Sequence, residues 1–184
     1  MSELKEIYVI EWMGPYNSID EIIDRKGTEE CCIYMITGQR YYNGPKGIRY
    51  VGITKRFVGN RLTDKDHLEK QEKIIGKQFW AGRFSVSSYN NLDIDARRKR
   101  AERVEALIAR YLKHICRLKF INEKKTCSDP KKPICIVNRW QRKKTEGNRY
   151  NKPSILKKLP DTLLYVDKEF YAGDNLRLRL YTPE

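Results

Sequence analysis

The sequence lacks any apolar run approaching the length of about 18 residues that a membrane-spanning helix needs. Its first residues, MSELKEIYVIEW, also lack the basic start and the long apolar stretch of a secretory signal. No internal repeat or low-complexity segment is present. We therefore expect a globular protein with no membrane association and a cytoplasmic location, rather than a membrane, secreted or solenoid protein.

Cysteine is scarce, and its spacing does not suit a structural zinc site. The five cysteines are Cys31, Cys32, Cys116, Cys127 and Cys135. Their number is odd and no secretory signal precedes them, so we expect free thiols in a reducing compartment. Cys127 and Cys135 are too far apart for the short pair spacing of zinc ligands. Neither disulfides nor zinc are expected.

Acidic residues are too few to balance the basic ones. Lys and Arg number 38 and Asp and Glu 24, which gives a formal net charge of +14. An excess of this size favours a polyanionic partner, because basic side chains neutralise phosphates and release counterions. The basic residues are not confined to one amphipathic segment, which argues against a membrane-surface helix. We expect nucleic acid as the partner and, for DNA, a cytoplasmic or nucleoid-associated location.

The order of the predicted elements indicates an α+β fold. Apolar and β-branched runs predict strands over 7–12, 31–37, 48–53 and 83–89. Gly14-Pro15 is expected to break the chain after the first strand. The segment 57–75 is polar and permits helix, and the three-four spacing of apolar residues predicts a long helix over 95–118. These elements predict a small antiparallel or mixed three-stranded sheet flanked by helices, with N- and C-terminal extensions.

Three segments follow from this pattern. Residues 1–29 form a strand–helix extension, in which Ser18 caps a helix over 19–25. Residues 30–122 form the core. Residues 123–184 are more basic and loop-rich, and we expect them to be an extension packed on the core.

Four polar side chains lie where such a fold can bring them together. Tyr34 and Tyr50 lie in neighbouring strands, Arg61 lies early in the next helical segment, and Glu105 lies at the margin of the apolar stripe of the long helix. Phosphodiester hydrolysis uses these groups. A hard divalent cation takes oxygen ligands, an arginine clamps the phosphate, and a phenol positions an attacking water.

Two tripeptides extend this pattern. Cys32-Ile33-Tyr34 and Tyr50-Val51-Gly52, whose tyrosines are sixteen positions apart, resemble the paired motifs that name the GIY-YIG nuclease superfamily. An arginine eleven residues beyond Tyr50 and a helical glutamate follow in the expected order. The resemblance covers roughly residues 30–125 and implies a metal-dependent endonuclease that hydrolyses DNA with Mg²⁺ or Mn²⁺.

The resemblance also implies a role for each matching residue. Tyr34 would orient or activate the nucleophilic water with Tyr50 beside it, and Arg61 would bind the scissile phosphate. Glu105 would be the sole protein ligand of the metal, with the neighbouring Glu102 as a competitor that we expect to face outward. Asn122, after the helix, resembles a supporting asparagine of the family.

The sequence departs from the family pattern in three places. Cys32 stands in place of a glycine and Val51 in place of an isoleucine, and both changes suit a packed strand. The family usually has His or Tyr four residues after its arginine, where this chain has Lys65. His67 lies two residues further on, so either Lys65 or His67 fills this catalytic position.

Basic segments outside these motifs are candidates for nucleic-acid contact. They comprise Arg97, Arg98, Lys99 and Arg100, which open the long helix, and Arg139, Arg142, Lys143 and Lys144, which flank Trp140. The alternative is a solvated basic face with Trp140 in the core.

A compact chain with additions at both ends most resembles the restriction-enzyme members of the superfamily, which predicts a homodimer. Two other functions stay open: a catalytically inactive DNA-binding module on the same scaffold, and a structure-specific nuclease or ribonuclease.

Overall fold

A computed structural model describes residues 6–25, 28, 32–85, 93–119, 130, 132–142, 145–149, 152–174 and 179–181. Its strands are β1 (Glu6–Tyr16), β2 (Ile33–Gln39), β3 (Gly47–Ile53), β4 (Ile75–Phe84), β5 (Ile134–Arg142), β6 (Thr145–Arg149), β7 (Thr162–Val166), β8 (Glu169–Gly173) and β9 (Arg179–Tyr181). Its α-helices are α1 (Asp20–Ile23), α2 (Val58–Leu62), α3 (Lys65–Glu72) and α4 (Ile94–Arg110). A π-helical turn (Tyr111–Ile115) continues α4, and a 3₁₀ turn covers Ser154–Leu156.

The strands of the described residues form one large mixed sheet. Its order is β3-β2-β4-β1-β5-β7-β8-β9, and β6 pairs with β5. The prediction of a small three-stranded sheet with extensions at both ends is therefore wrong. The physical reason is that β1 pairs with β4, and the strands of the last segment extend the sheet from β1, where the sequence pattern indicated peripheral additions.

The position of β1 in the sheet was the one least indicated by the sequence pattern. It pairs antiparallel with β4 on one side and parallel with β5 on the other, so it lies in the interior of the sheet. Ile10 and Trp12 are fully buried. The expected break at Gly14-Pro15 does not occur, because the strand continues to Tyr16 through a shift in its register with β4.

β4 takes the place of the strand predicted over 83–89, but it lies earlier in the chain. It covers Ile75–Phe84, and residues 86–90 lie outside the described residues. Its sequence, IGKQFWAGRF, holds two glycines and a lysine and has little strand pattern of its own. Ladders with β2 and β1 and the burial of Phe79 and Trp80 determine its position.

The helices differ less from their predicted bounds. The predicted N-terminal helix is a single turn, α1, and the 57–75 segment contains α2 and α3. The long helix begins after Asp93, whose side chain accepts a hydrogen bond of 2.7 Å from the Ala96 amide. This is an N-cap, as expected for an aspartate just before an apolar repeat.

Two apolar clusters cover β2 on opposite faces. Ile33 and Met35 belong to the cluster that contains the apolar residues of α4, such as Val104. Tyr34 and Ile36 belong to the second cluster, which contains residues of α1 and α2. The near-continuous apolar run of β2 has the composition of a strand covered on both faces, and the structure confirms this. Tyr34 therefore points away from the main α4 layer.

Other expectations concern membranes, thiols and segments. Among the described residues, no helix is both long and apolar enough to cross a membrane. Within the same part of the chain, Cys32, Cys116 and Cys135 form no disulfide, whereas Cys31 and Cys127 lie outside it. The division at residues 29 and 122 stays a prediction, although strands from all three segments share one sheet.

A buried asparagine joins β1, β5 and the turn before β7. The Asn138 amide group donates to the Pro160 carbonyl at 2.8 Å, and its side-chain oxygen accepts from the Trp12 indole at 2.8 Å. Its backbone N–H donates to the Asp161 carbonyl at 2.7 Å. Asn138 is buried, so these contacts replace water that it cannot reach.

Replacing Asn138 with alanine is expected to lower the free energy of unfolding by about 2–3 kcal/mol, because the Trp12 N–H and the Pro160 carbonyl lose their partner inside the protein. Urea denaturation measures the change. Asn60→Ala, at an exposed position of α2, is the matched control and is expected to change stability by no more than about 0.5 kcal/mol. Equal effects of the two substitutions would contradict a structural role for Asn138.

Candidate active site

The pairing of β2 with β3 brings the two candidate tyrosines together. Tyr34 lies opposite Gly52, and Ile36 lies opposite Tyr50. The two tyrosine rings stack across the strands with their centroids 5.8 Å apart and their planes 19° apart. The two phenols are close enough for each to shift the pKa of the other. Two of the four residues selected from the sequence thus form one buried pair.

Gly52 makes this arrangement possible. A Cβ atom at position 52 would lie 2.5 Å from Cζ of Tyr34 and 2.6 Å from Cε1 of Tyr50. These separations are far below van der Waals contact, so any side chain there would displace both rings. The glycine of the second tripeptide therefore provides the space in which the phenols meet.

His67 completes an aromatic triad with the tyrosines. Its ring meets Tyr34 and Tyr50 edge-on, at centroid distances of 5.9 and 5.6 Å. Its two ring nitrogens lie 3.3 and 3.4 Å from the Tyr34 hydroxyl. The histidine is 1% exposed, whereas Lys65, at the start of α3, is exposed. Of the two residues left open for this position, the structure places His67 against the tyrosines.

Arg61 lies at the solvent side of this triad and is held by carboxylates. One guanidinium nitrogen lies 2.6 Å from Asp64, and the other lies 3.7 Å from Asp66. Partial burial opposes the positive charge, but the hydrogen bond to Asp64 and the charges of the neighbouring groups together outweigh it, so the pKa of Arg61 is raised. The same hydrogen bond holds the pKa of Asp64 below its usual value. Arg61 is therefore a fixed cation whose side chain remains 31% exposed.

Glu105 lies on α4, which packs against β3. It is 1% exposed, and its carboxyl group is within electrostatic range of both Tyr34 and Tyr50. Glu102, one turn earlier, is 45% exposed and forms a 2.7 Å ion pair with Arg98. The two glutamates thus differ in the way that the helical periodicity predicts. Glu105 is buried near the phenols, and Glu102 faces solvent.

The environment determines the protonation of the triad. Burial is the main cause that raises the pKa of Tyr34, and the interaction with the neighbouring Tyr50 phenol adds to it. Burial also raises the pKa of Tyr50, with a further increase from Glu105. Burial, followed by the charge of Arg61, lowers the pKa of His67 from 6.5 to about 4. At neutral pH both phenols therefore keep their protons, and the imidazole is neutral and can accept one.

The donor set suits a hard divalent cation. Among the described residues, no group of three or more His, Cys, Asp or Glu side chains could hold a metal. Mg²⁺ commonly takes only one or two carboxylates and completes its shell with water and substrate oxygens. The buried Glu105, with two phenol oxygens in its electrostatic range, fits that pattern.

The remaining predicted residues lie elsewhere or outside the described residues. Asn122, Lys143 and Lys144 lie outside them, and only the backbone of Arg142 is described. Arg97, Arg98, Lys99 and Arg100 occupy the first turns of α4, and Arg139 lies partly buried in β5. Trp140 is a core residue, because it stacks on Trp12 at 6.3 Å and donates to Asp161 at 3.0 Å. Its ring is not available for stacking with a base.

Sequence reasoning missed the acidic partners of Arg61. Asp64 also lies 2.6 Å from Arg56, so one carboxylate oxygen joins two guanidinium groups. Asp66 lies 3.9 Å from His67 and 3.8 Å from Lys70. The available signal was that Asp64 follows Arg61 by only three positions, just beyond the end of α2.

Gly52→Ala is expected to destabilise the protein by about 1–3 kcal/mol, because the added methyl group overlaps both tyrosine rings. Gly47→Ala, in the same strand, is the matched control, since a Cβ there meets no atom within 4 Å. Thermal denaturation of both variants distinguishes the positions. Equal melting temperatures would contradict the close packing of the rings over Gly52.

The His67 environment predicts an acid-sensitive fold. Its pKa is 6.5 in an ordinary environment and about 4 here, so the unfolded chain binds a proton at higher pH than the folded protein does. Stability is therefore highest above pH 6.5 and falls as the pH decreases toward 4, by roughly 1.4 kcal/mol per unit from this group.

His67→Gln is expected to flatten that pH dependence in urea denaturation measured between pH 7 and pH 4. His114→Gln, at the exposed position of the other histidine, is the control and should keep the wild-type dependence. A wild-type slope that survives in His67→Gln would exclude His67 as its source.

The geometry of the candidate site, rather than a known relative, is the basis for the function of this chain. The tyrosine pair, His67, Arg61 and Glu105 come from five elements, β2, β3, α3, α2 and α4. The resemblance to the GIY-YIG superfamily rests on these residues and their order. Searches against family models, curated proteins and solved structures found no match for the chain.

Proposed function

We propose that this protein is a metal-dependent endonuclease that hydrolyses phosphodiester bonds in DNA. The observation that carries the proposal is the cluster of Tyr34, Tyr50 and His67, with the fixed cation Arg61 at its solvent side and the buried Glu105 beside it. A water-positioning phenol, a proton acceptor, a phosphate clamp and a metal ligand are the groups that such hydrolysis needs.

Each residue has a role in the proposed reaction. Arg61 binds non-bridging oxygens of the scissile phosphate, with its guanidinium oriented by Asp64. Tyr34 and Tyr50 keep their protons and position the attacking water through their hydroxyls. The water oxygen bonds to phosphorus while the opposite P–O ester bond breaks. His67 is neutral, so it accepts the proton of the water through the Tyr34 hydroxyl, and the leaving oxygen takes a proton from solvent.

Glu105 is the residue that would hold Mg²⁺ or Mn²⁺. When bound, the ion would polarise the phosphate and stabilise the charge on the leaving oxygen. The burial of Glu105 supports this assignment, because a carboxylate at this position keeps its charge most readily when a cation is bound nearby.

DNA is the proposed substrate because of the charge of the chain. A net charge of +14 favours a polyanion, and Arg56, Arg61 and Lys70 lie around the candidate site. A DNA substrate would place the protein in the cytoplasm with the nucleoid. The homodimer and the restriction-enzyme likeness stay predictions.

Glu105→Gln is expected to reduce plasmid cleavage in the presence of Mg²⁺ by a hundredfold or more, on the order of the effects that follow loss of one electrostatic contact in a transition state. Glu102→Gln, one turn away and exposed, is the matched control and should cut like the wild type. Gel electrophoresis of supercoiled plasmid measures both rates, and chelation of the metal should stop all cutting.

Three outcomes would revise the proposal. Equal cutting by wild type and Glu105→Gln would remove Glu105 from the site. Salt-sensitive DNA binding with no cutting, unchanged in Glu105→Gln, would indicate a binding module without catalysis. Faster hydrolysis of RNA or of branched DNA in a parallel panel would change the substrate class.

A further inference from the structure

The loop between β2 and β3 presents two aromatic side chains to solvent. Tyr41 is 59% exposed and Tyr42 is 81% exposed, at the tip of the hairpin that carries Tyr34 and Tyr50. Tyrosine usually buries most of its ring in a folded protein, because the ring is a large apolar surface. Two adjacent exposed rings on one loop indicate a surface that contacts something else.

This loop is braced by hydrogen bonds from both strands. The Gln39 side chain donates to the Gly44 carbonyl at 2.6 Å, and the Gly44 amide donates to the Tyr41 carbonyl at 3.0 Å. Arg49, a buried arginine of β3, donates to the carbonyl of Gly38 at 3.1 Å and to that of Pro45. The rings are thus held on a defined backbone, which lowers the entropic cost of using them for binding.

The segment of the chain that carries the rings has charged side chains of a single sign. Residues 31–63 contain no aspartate or glutamate. Arg40 and Lys46 are exposed on the loop itself, and Lys55 and Arg56 are exposed beyond β3. Exposed aromatics interleaved with basic residues suit a nucleic acid, because rings stack on bases while cations contact phosphates. The positive charge of the loop disfavours a partner protein with a basic surface.

The distance to the candidate site suits a single bound strand. Tyr34 and Arg40, the first residue of the loop, are six positions apart along β2, which corresponds to about 20 Å in an extended strand. At the spacing of about 3.4 Å per nucleotide in one strand of duplex DNA, this length corresponds to about six nucleotides, and a more extended unpaired strand covers it with fewer. A strand with its phosphate on Arg61 could therefore reach the loop.

We propose that the Arg40–Lys46 loop is a second nucleic-acid contact, in which Tyr42 stacks on an unpaired nucleobase a few nucleotides from the phosphate held by Arg61. Arg40 and Lys46 contact the flanking phosphates. This inference rests on the proposed function, which gives the position of the cleaved phosphate. It deepens the proposed function, because a loop that binds an unpaired base selects DNA with an unpaired nucleotide beside the cleavage point.

The test measures binding in the full chain carrying Glu105→Gln, so that cleavage does not interfere. The probes are a fluorescently labelled single-stranded DNA of mixed sequence and the fully paired duplex of the same sequence. Tyr42→Ala is expected to weaken binding of the single strand about tenfold, because one base–ring stack is lost. Tyr42→Phe keeps the ring and should bind like the parent. Binding of the duplex, whose bases stack on one another, should change less than that of the single strand.

Salt dependence separates the cations from the ring. Lys46→Gln is expected to reduce the slope of log affinity against log salt by about one, while Tyr42→Ala leaves that slope unchanged. Ile23→Ala, at an exposed apolar position on α1, is the matched control and should bind like the parent.

Several results would overturn the inference. They are unchanged single-strand binding by Tyr42→Ala, an equal loss in Tyr42→Phe, an equal loss for the duplex, or no nucleic-acid binding at low salt. Tyr42 is highly exposed, so its substitution leaves the folded protein intact for this measurement. Tyr42-dependent binding by a protein that fails to cut DNA would refute the proposed catalysis while supporting the loop contact.

Discussion

The stacking of Tyr34 on Tyr50 over Gly52 is the contact on which the candidate site depends. It requires β2 and β3 to pair in one register, because a shift of one residue would send a tyrosine to the α4 face. It also creates the pocket of aromatic edges that receives His67 from α3. Burial of these rings then makes the imidazole neutral and keeps the phenols protonated. The packing of these rings therefore determines the protonation states of the site.

Charge is distributed around that aromatic centre in two layers. Glu105 is buried on the α4 side, and Arg61 is partly exposed on the α2 side. Asp64 and Asp66 form ion pairs with the cations on the exposed side of the triad, which limits the repulsion between these cations until an anion replaces the carboxylates. Such an arrangement favours a negatively charged ligand that binds these cations.

The sequence predicted those parts of the fold that depend on local pattern. The long helix and the burial of Glu105 follow from a period of 3.6 residues, which any amphipathic helix displays. The interior position of β1 could not be predicted, because strand order depends on ladders between distant segments and leaves no local signal. His67 could not be separated from Lys65 for a related reason, since the two residues differ by two positions on a short helix whose direction is fixed by packing.

The parallel ladder between β1 and β5 has a consequence for how the chain is made. β1 leaves the ribosome before both of its neighbours, since β4 begins at Ile75 and β5 at Ile134. Until both neighbours have been made, β1 has hydrogen-bonding edges that can pair with another chain. Contacts this distant in sequence slow folding, because long loops must close first. The risk that β1 pairs with another chain during synthesis therefore lasts until the residues of β5 emerge.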